Sequence, residues 1–198
     1  MKRAISLLLC AVILCLSLTA CSGPNADMTE ENITKTVEVV ETALQKFDID
    51  NLNKYVDSTT LSIILGYAKK HEQFAELGRA IFANLEMEIT SIDIENQTVT
   101  VSVSNKDLFQ AANDFAQQLK SDYSTLQLLA KLNNDTFLDT KLAQLCADID
   151  ASGFLPEAVE MTLDIEQGKK NLVLGFNDNA ENAVSGGALS AIKGIYGG

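Results

Sequence analysis

Residues 85–104, Leu-Glu-Met-Glu-Ile-Thr-Ser-Ile-Asp-Ile-Glu-Asn-Gln-Thr-Val-Thr-Val-Ser-Val-Ser, decide the fold class. Apolar side chains recur at every second position, the period of a strand with one dry face. Met87 and Ile89 set one phase and Ile92 and Ile94 the opposite one, so a β-bulge is expected near Thr90-Ser91. Glu95-Asn96-Gln97 supplies a hairpin turn, and Val99, Val101 and Val103 alternate with threonine and serine on the return. A second hairpin is written at 159–174, VEMTLDIEQGKKNLVL, with its turn at Gln167-Gly168. Val159, Met161, Leu163 and Ile165 lead into that turn; Leu172, Leu174 and Phe176 lead out of it. The spacing predicts four antiparallel strands over 86–95, 98–104, 158–166 and 170–176, with Val99, Val101 and Val103 on one buried face.

Helical spacing fills the remainder. Ile33, Val37, Val40, Leu44 and Phe47 recur every three or four residues, with Thr29 as N-cap. Asp48-Ile49-Asp50-Asn51 ends that helix, and Leu52, Tyr55 and Val56 suggest a short second one. Leu61, Ile64, Leu65 and Ala68, then Phe74, Leu77, Ile81 and Leu85, describe one or two more. After the first hairpin come Phe109, Ala112, Phe115 and Leu119, then Leu126, Leu129 and Leu132. Asn133-Asn134-Asp135 interrupts this stripe, and Leu138, Leu142 and Leu145 resume it after a new cap at Asp135 or Thr136. The tail from Asn177 holds five glycines among Val184, Leu189, Ile192 and Ile195, predicting a weak last helix broken near Gly186-Gly187. The order of helices, hairpin, helices, hairpin and helix is α+β: a curved antiparallel sheet with helices packed on one face.

The N-terminus reads differently. Lys2 and Arg3 form a charged start, Ala4 to Leu16 an apolar run, and Leu18-Thr19-Ala20-Cys21 a lipobox. The run is short of the roughly 20 residues a spanning helix needs. The expected division is a lipoprotein signal peptide over 1–20, a lipidated tether over 21–28 and one domain over 29–198. In lipoproteins resembling this chain a diacylglyceryl group joins the Cys21 sulfur and Cys21 becomes the first mature residue. The expected location is the outer face of the cell membrane, with the bilayer as partner through the Cys21 anchor.

Charge and cysteine usage narrow the classes further. The net charge is −12, and loss of Lys2 and Arg3 leaves 13 basic against 27 acidic residues, a balance of −14. That acidity argues against a nucleic-acid partner, which requires a basic footprint. Cys10 and Cys15 fall in the signal and Cys21 carries lipid, so Cys146 stands alone and no disulfide forms within the mature domain. Cys146 follows Leu142 and Leu145 on an apolar stripe and reads as a small core residue.

With the lipobox ahead of it, the series LEMEITSIDIENQTVTVSVS, VEMTLDIEQGKKNLVL and NAVSGGALSAI (182–192) resembles Gram-positive lipoproteins carrying a nuclear-transport-factor-2-like (cystatin-like) domain. The resemblance covers 29–196 and is one of pattern. The chain departs from that group at Lys170-Asn171, where relatives usually place a tryptophan after the Gly-Lys of the last turn. The resemblance implies a cone with a pocket, and some relatives are isomerases or dehydratases using an Asp, His or Tyr inside it.

Candidates for such chemistry are few. Tyr67 and His71 stand four apart on one expected helix, with Tyr55 and Asp57 nearby, and His71 is flanked by Lys70 and Glu72. These read as core rim and a solvated helix face. Alternation puts Glu88 and Asp93 on the wet side of their strand. Loops starting at Asp48 and Asn177 lack the ligand spacing of a calcium site and read as caps; no catalytic residue, metal site or cofactor is expected. The expected function is a membrane-anchored, non-catalytic module that binds a small molecule or a protein. The alternatives are a pocket enzyme of the ketosteroid-isomerase type, or a structural envelope-associated protein.

Overall fold

The computed structural model describes residues 25–196; Cys21 and the segment 1–20 lie outside them. Nine helices and one five-stranded sheet are found among the described residues, so the α+β reading holds. The chain runs α1 (Glu30–Lys46), α2 (Ile49–Tyr55), β1 (Val56–Asp57), α3 (Thr59–Ala68), α4 (Glu72–Phe82), β2 (Glu86–Asp93) and β3 (Thr98–Ser104). It continues with α5 (Phe109–Asp122), α6 (Thr125–Lys131), α7 (Asp135–Ala151), β4 (Val159–Gln167), β5 (Leu172–Gly175), α8 (Asp178–Val184) and α9 (Ala188–Tyr196).

The strand order is β1-β5-β4-β3-β2. The four strands expected from alternation form the antiparallel part, and the register between β2 and β3 slips between Ile89 and Ser91, where the phase change put the bulge. The sheet is nevertheless mixed. Val56, expected in the short helix, instead begins a strand with Asp57 that pairs parallel with Leu174 and Gly175. Two residues are too few to carry a period, so nothing in the pattern distinguishes this edge strand from a helix end.

Val99, Val101, Val103, Leu163, Leu172 and Leu174 are all fully buried on one face. The other face is wet: Thr100 and Thr162 place their hydroxyls 3.1 Å apart there, beside the exposed Glu160 and Asp164. Helix α1 packs across the dry face against β2 and β5. Its stripe of Ile33, Val37, Val40 and Leu44 is buried, and Thr29 caps it by accepting the Asn32 N–H at 3.2 Å. The helix ends where Phe47 adopts φ 50° and ψ 48°, turning its ring onto Phe82 at 6.2 Å between centroids. Gly78 makes this possible, because a Cβ there would stand 2.2 Å from the Phe47 ring.

A smaller cluster of Leu108, Ala112, Leu145, Ile149, Ala188 and Ala191 joins α5, α7 and α9. The break expected in the tail is real: Gly186 and Gly187 at φ 57° and 84° separate α8 from α9. The Gly186 carbonyl accepts the Leu108 N–H at 2.8 Å, and the Lys106 carbonyl leaves no room for a Cβ at Gly186.

Three helical expectations are corrected. Leu126 and Leu129 are exposed, and α6 buries none of its residues. The buried side of α5 runs through Ala112 and Ala116 behind Leu108, leaving Phe109 exposed. The cap of α7 is Asn134, whose Oδ1 accepts the Phe137 N–H at 2.9 Å, in place of Asp135 or Thr136. A single-helix stripe cannot tell which neighbour will cover it, and asparagine and aspartate compete nearly equally for a cap.

Candidate ligand cavity

Helices α1, α3, α4, α8 and α9 enclose a cavity of about 270 Å³ beside the sheet. Leu44 and Phe47 come from the end of α1, Leu61 and Ile64 from α3, and Phe74, Leu77 and Ile81 from α4. Val184, Ala188, Leu189 and Ile192 close it from the tail. Ile64 and Ile192 are 37% and 42% exposed, so they form an apolar rim at its mouth. The walls are held in place by Asn105, just after β3. Its buried amide donates to the Ile81 carbonyl at 3.0 Å and the Val184 carbonyl at 2.8 Å, tying α4 to the end of α8.

One wall residue is ionisable. Glu181 lies on α8 and is 8% exposed. Its Oε1 accepts the Ser58 hydroxyl at 2.5 Å and the Thr60 backbone N–H at 3.3 Å, both at the start of α3. Ser58 in turn caps that helix, its Oγ accepting the Leu61 N–H at 2.9 Å. A carboxylate at the positive end of a ten-residue helix is well placed electrostatically. Its second oxygen is different: Oε2 is buried and meets no hydrogen-bond partner among the described residues. An acceptor left so costs roughly 1–3 kcal/mol.

A second depression of about 550 Å³ lies between β4 and α8, lined by Val159, Thr162, Asn177, Asn179 and Asn182. Its polar groups are already engaged or solvated. Asn177 caps α8 by accepting the Asn179 and Ala180 N–H groups at 3.0 Å, and Asn182 accepts the Ser190 N–H at 2.9 Å. The smaller cavity, walled almost wholly by apolar side chains, has the make-up of a site for an apolar ligand.

The candidates named from sequence are not assembled by the fold. Cys21 lies outside the described residues. Tyr67 belongs to α3, whereas His71 occupies the N-cap position of α4, so they do not share a helix. The His71 ring is largely covered and sets Nδ1 3.0 Å from Asp135 Oδ1, which corrects the expectation of a solvated neighbour of lysines. Neither residue lines a cavity described above. Tyr55 is buried with its hydroxyl accepting from Lys54 Nζ at 2.9 Å. Glu88 and Asp93 are exposed on the wet side, and the Asn96 backbone N–H and side chain hold the Asp93 carboxyl below its usual range. Asp48 caps α2, as expected, with Oδ1 accepting from Asp50 and Asn51. Cys146 is half-buried, and burial, then Asp150 and Glu76, push its thiol up, away from nucleophilic use.

Glu181 was not singled out by the sequence reading. The signal was present: Glu181 stands three before Val184 and seven before Ala188, a charge on the apolar stripe of a tail with weak helical character. No family model matches the chain, and neither a curated protein nor a solved structure is found to match it.

Proposed function

We propose that this chain is a lipoprotein anchored at the outer face of the cell membrane through Cys21, and that its domain binds a small apolar ligand without transforming it. The observation that carries the binding half is the helix-lined cavity with its exposed isoleucine rim. At about 270 Å³ it lies just under the about 300–1,000 Å³ typical of sites for drug-sized ligands, so a smaller ligand is implied. The lipobox at Leu18–Cys21 supports the anchoring half, and two acyl chains, at about 0.8 kcal/mol per buried methylene, hold a protein stably at a bilayer. The order of elements and the bulged sheet are compatible with the cystatin-like kinship the sequence resembles, although the cavity here lies among helices.

An isomerase-type reading asks for an ionisable group presented to the cavity, whereas Glu181 keeps Oε2 covered and Oε1 bonded to Ser58 and Thr60. General acid–base turnover needs a second group converging on the same point. The other polar side chains on these walls are Thr60 and Ser185, neither of which titrates near neutrality. That favours binding over turnover.

Two experiments test the two halves. Mass spectrometry of the mature N-terminus is expected to find lipidated Cys21, and Cys21→Ser to release the protein from membranes; an unmodified N-terminus elsewhere contradicts the anchor. For the cavity, n-octanol titrated into the chain from Ser22 onward is expected to raise the melting temperature, and Ile64→Trp at the rim to weaken the effect. No response to octanol contradicts the binding reading.

A further inference from the structure

Residues Val159 to Leu163 of β4 have a strand on one side only. β3 runs along all of them, but β5 pairs with Asp164 to Gln167 alone, because the chain leaves the sheet after Gly175 and turns into α8. The Ile165 N–H donates to the Gln97 carbonyl at 2.7 Å, so the odd-numbered residues of β4 bond to β3 and the even-numbered ones point the other way. Asp164 and Glu166 use those groups on β5. Glu160 and Thr162 have no strand opposite them: among the described residues, the N–H and carbonyl of neither meet a hydrogen-bond partner. Both are exposed, and both line the depression of about 550 Å³ whose far wall is Asn177, Asn179 and Asn182. An open edge of this kind is a template for one more strand.

Charge selects the occupant. The five strands contain no lysine, arginine or histidine. Their wet face carries Glu86, Glu88, Asp93, Glu160, Asp164 and Glu166, all exposed. A second copy of the chain, at net charge −12, would set the same acids against these, which is unfavourable. The dry side of the notch differs, with the partly exposed Val159, Leu155 and Ala183 on its walls.

We propose that this edge takes an extended basic segment of a partner protein, added antiparallel to β4 along the line that β5 leaves. Guest residues paired with Glu160 and Thr162 turn their N–H and carbonyl groups toward β4 and their side chains to the wet face, where lysine or arginine meets the acids. The residues between them point to the dry side, where a small apolar side chain fits against Val159 and Ala183. Main-chain bonds supply the affinity and the alternation supplies the specificity. The inference is independent of the helix-lined cavity.

The test is fluorescence anisotropy of labelled acetyl-Val-Lys-Val-Lys-Val-amide with the chain from Ser22 onward, which keeps every described residue. Three companion peptides separate the contributions: one with glutamate for both lysines, one N-methylated on both lysines, and one N-methylated on two valines. The glutamate and lysine-methylated peptides are each expected to bind about tenfold more weakly or worse, because one loses the charge match and the other the N–H groups that face β4. Methylation of the valines, whose N–H groups face away from β4, should cost less than about threefold. Thr162→Pro removes an edge N–H while sparing the β3 ladder, and should weaken binding about tenfold. The peptide series stands by itself if that variant fails to fold. Amide exchange gives a second readout: Glu160 and Thr162 should exchange fast in the free chain, unlike Glu166, and slow when the lysine peptide binds. No binding of the lysine peptide to folded protein, or equal binding of the lysine-methylated or glutamate peptide, overturns the proposal. Protection of both amides in the free chain also overturns it, since a second copy or another part of this chain then fills the edge.

Discussion

Ser58 donates its hydroxyl to Glu181 Oε1 at 2.5 Å while the serine Oγ accepts the Leu61 N–H at 2.9 Å, so one serine caps α3 and fastens α8 to it. The two residues lie 123 positions apart, and the link joins the start of α3 to the tail beside the cavity.

Ser58→Ala removes both bonds at once. A lost cap costs about 1 kcal/mol and a lost bond to a charged group about 1.5–3 kcal/mol, so a total of about 2–4 kcal/mol is expected. Thr29→Ala, which removes only the cap of α1, should cost about 1 kcal/mol. Urea unfolding of both variants checks this; equal losses would show that the Glu181 bond contributes nothing.

Alternation along β4 makes a sharper contrast. Leu163 is fully buried, and Leu163→Ala is expected to cost about 2–5 kcal/mol. Thr162, its neighbour on the wet face, should tolerate Ala within about 0.5 kcal/mol. Denaturation midpoints that fall together would mean that the sheet is covered on both faces.

Glu41 provides the pH dependence. Its carboxyl is pushed up, first by burial and then by Glu86 and Glu38, against the opposing hydrogen bond from the Met87 N–H at 3.4 Å. The fold therefore favours the protonated form. Its contribution is fully present below the unfolded carboxyl value of about 4.3 and is lost as pH rises through the higher folded value. Glu41→Gln should thus be more stable than wild type near neutrality, by no more than about 0.5 kcal/mol because solvent screens a half-buried group. The difference should vanish near pH 4. Melting temperatures across that range decide it, and a variant less stable at neutral pH contradicts the sign.

Cys146 should be slow to react with a disulfide reagent at neutral pH, since burial and two acidic neighbours disfavour its thiolate. The domain's melting temperature should not respond to dithiothreitol. Rapid modification, or a reductant-sensitive melt of the chain from Ser22 onward, would contradict this.

Strong periods were legible in the sequence. The valine alternation over 99–103, the bulge after Ile89 and the α1 stripe each involve several residues repeating one rule, and local pattern suffices for those. What was illegible depends on distant partners. Val56–Asp57 is a strand only because β5, more than a hundred residues later, lies alongside it. Leu126 and Leu129 repeat like core residues yet are exposed, on a helix that buries none of its residues. The cavity was hidden for the same reason: its walls come from five helices, and Glu181 gains its meaning from Ser58 and Thr60 across the chain.

The most direct test of the cavity as the ligand site is methyl NMR of the chain from Ser22 onward during n-octanol titration. The account predicts shifts that saturate together at Ile64, Leu77, Val184 and Ile192, with little change at Val101 and Leu163 in the sheet core. Shifts confined to the exposed Leu126 and Leu129 on α6, or none at the cavity walls, would contradict it.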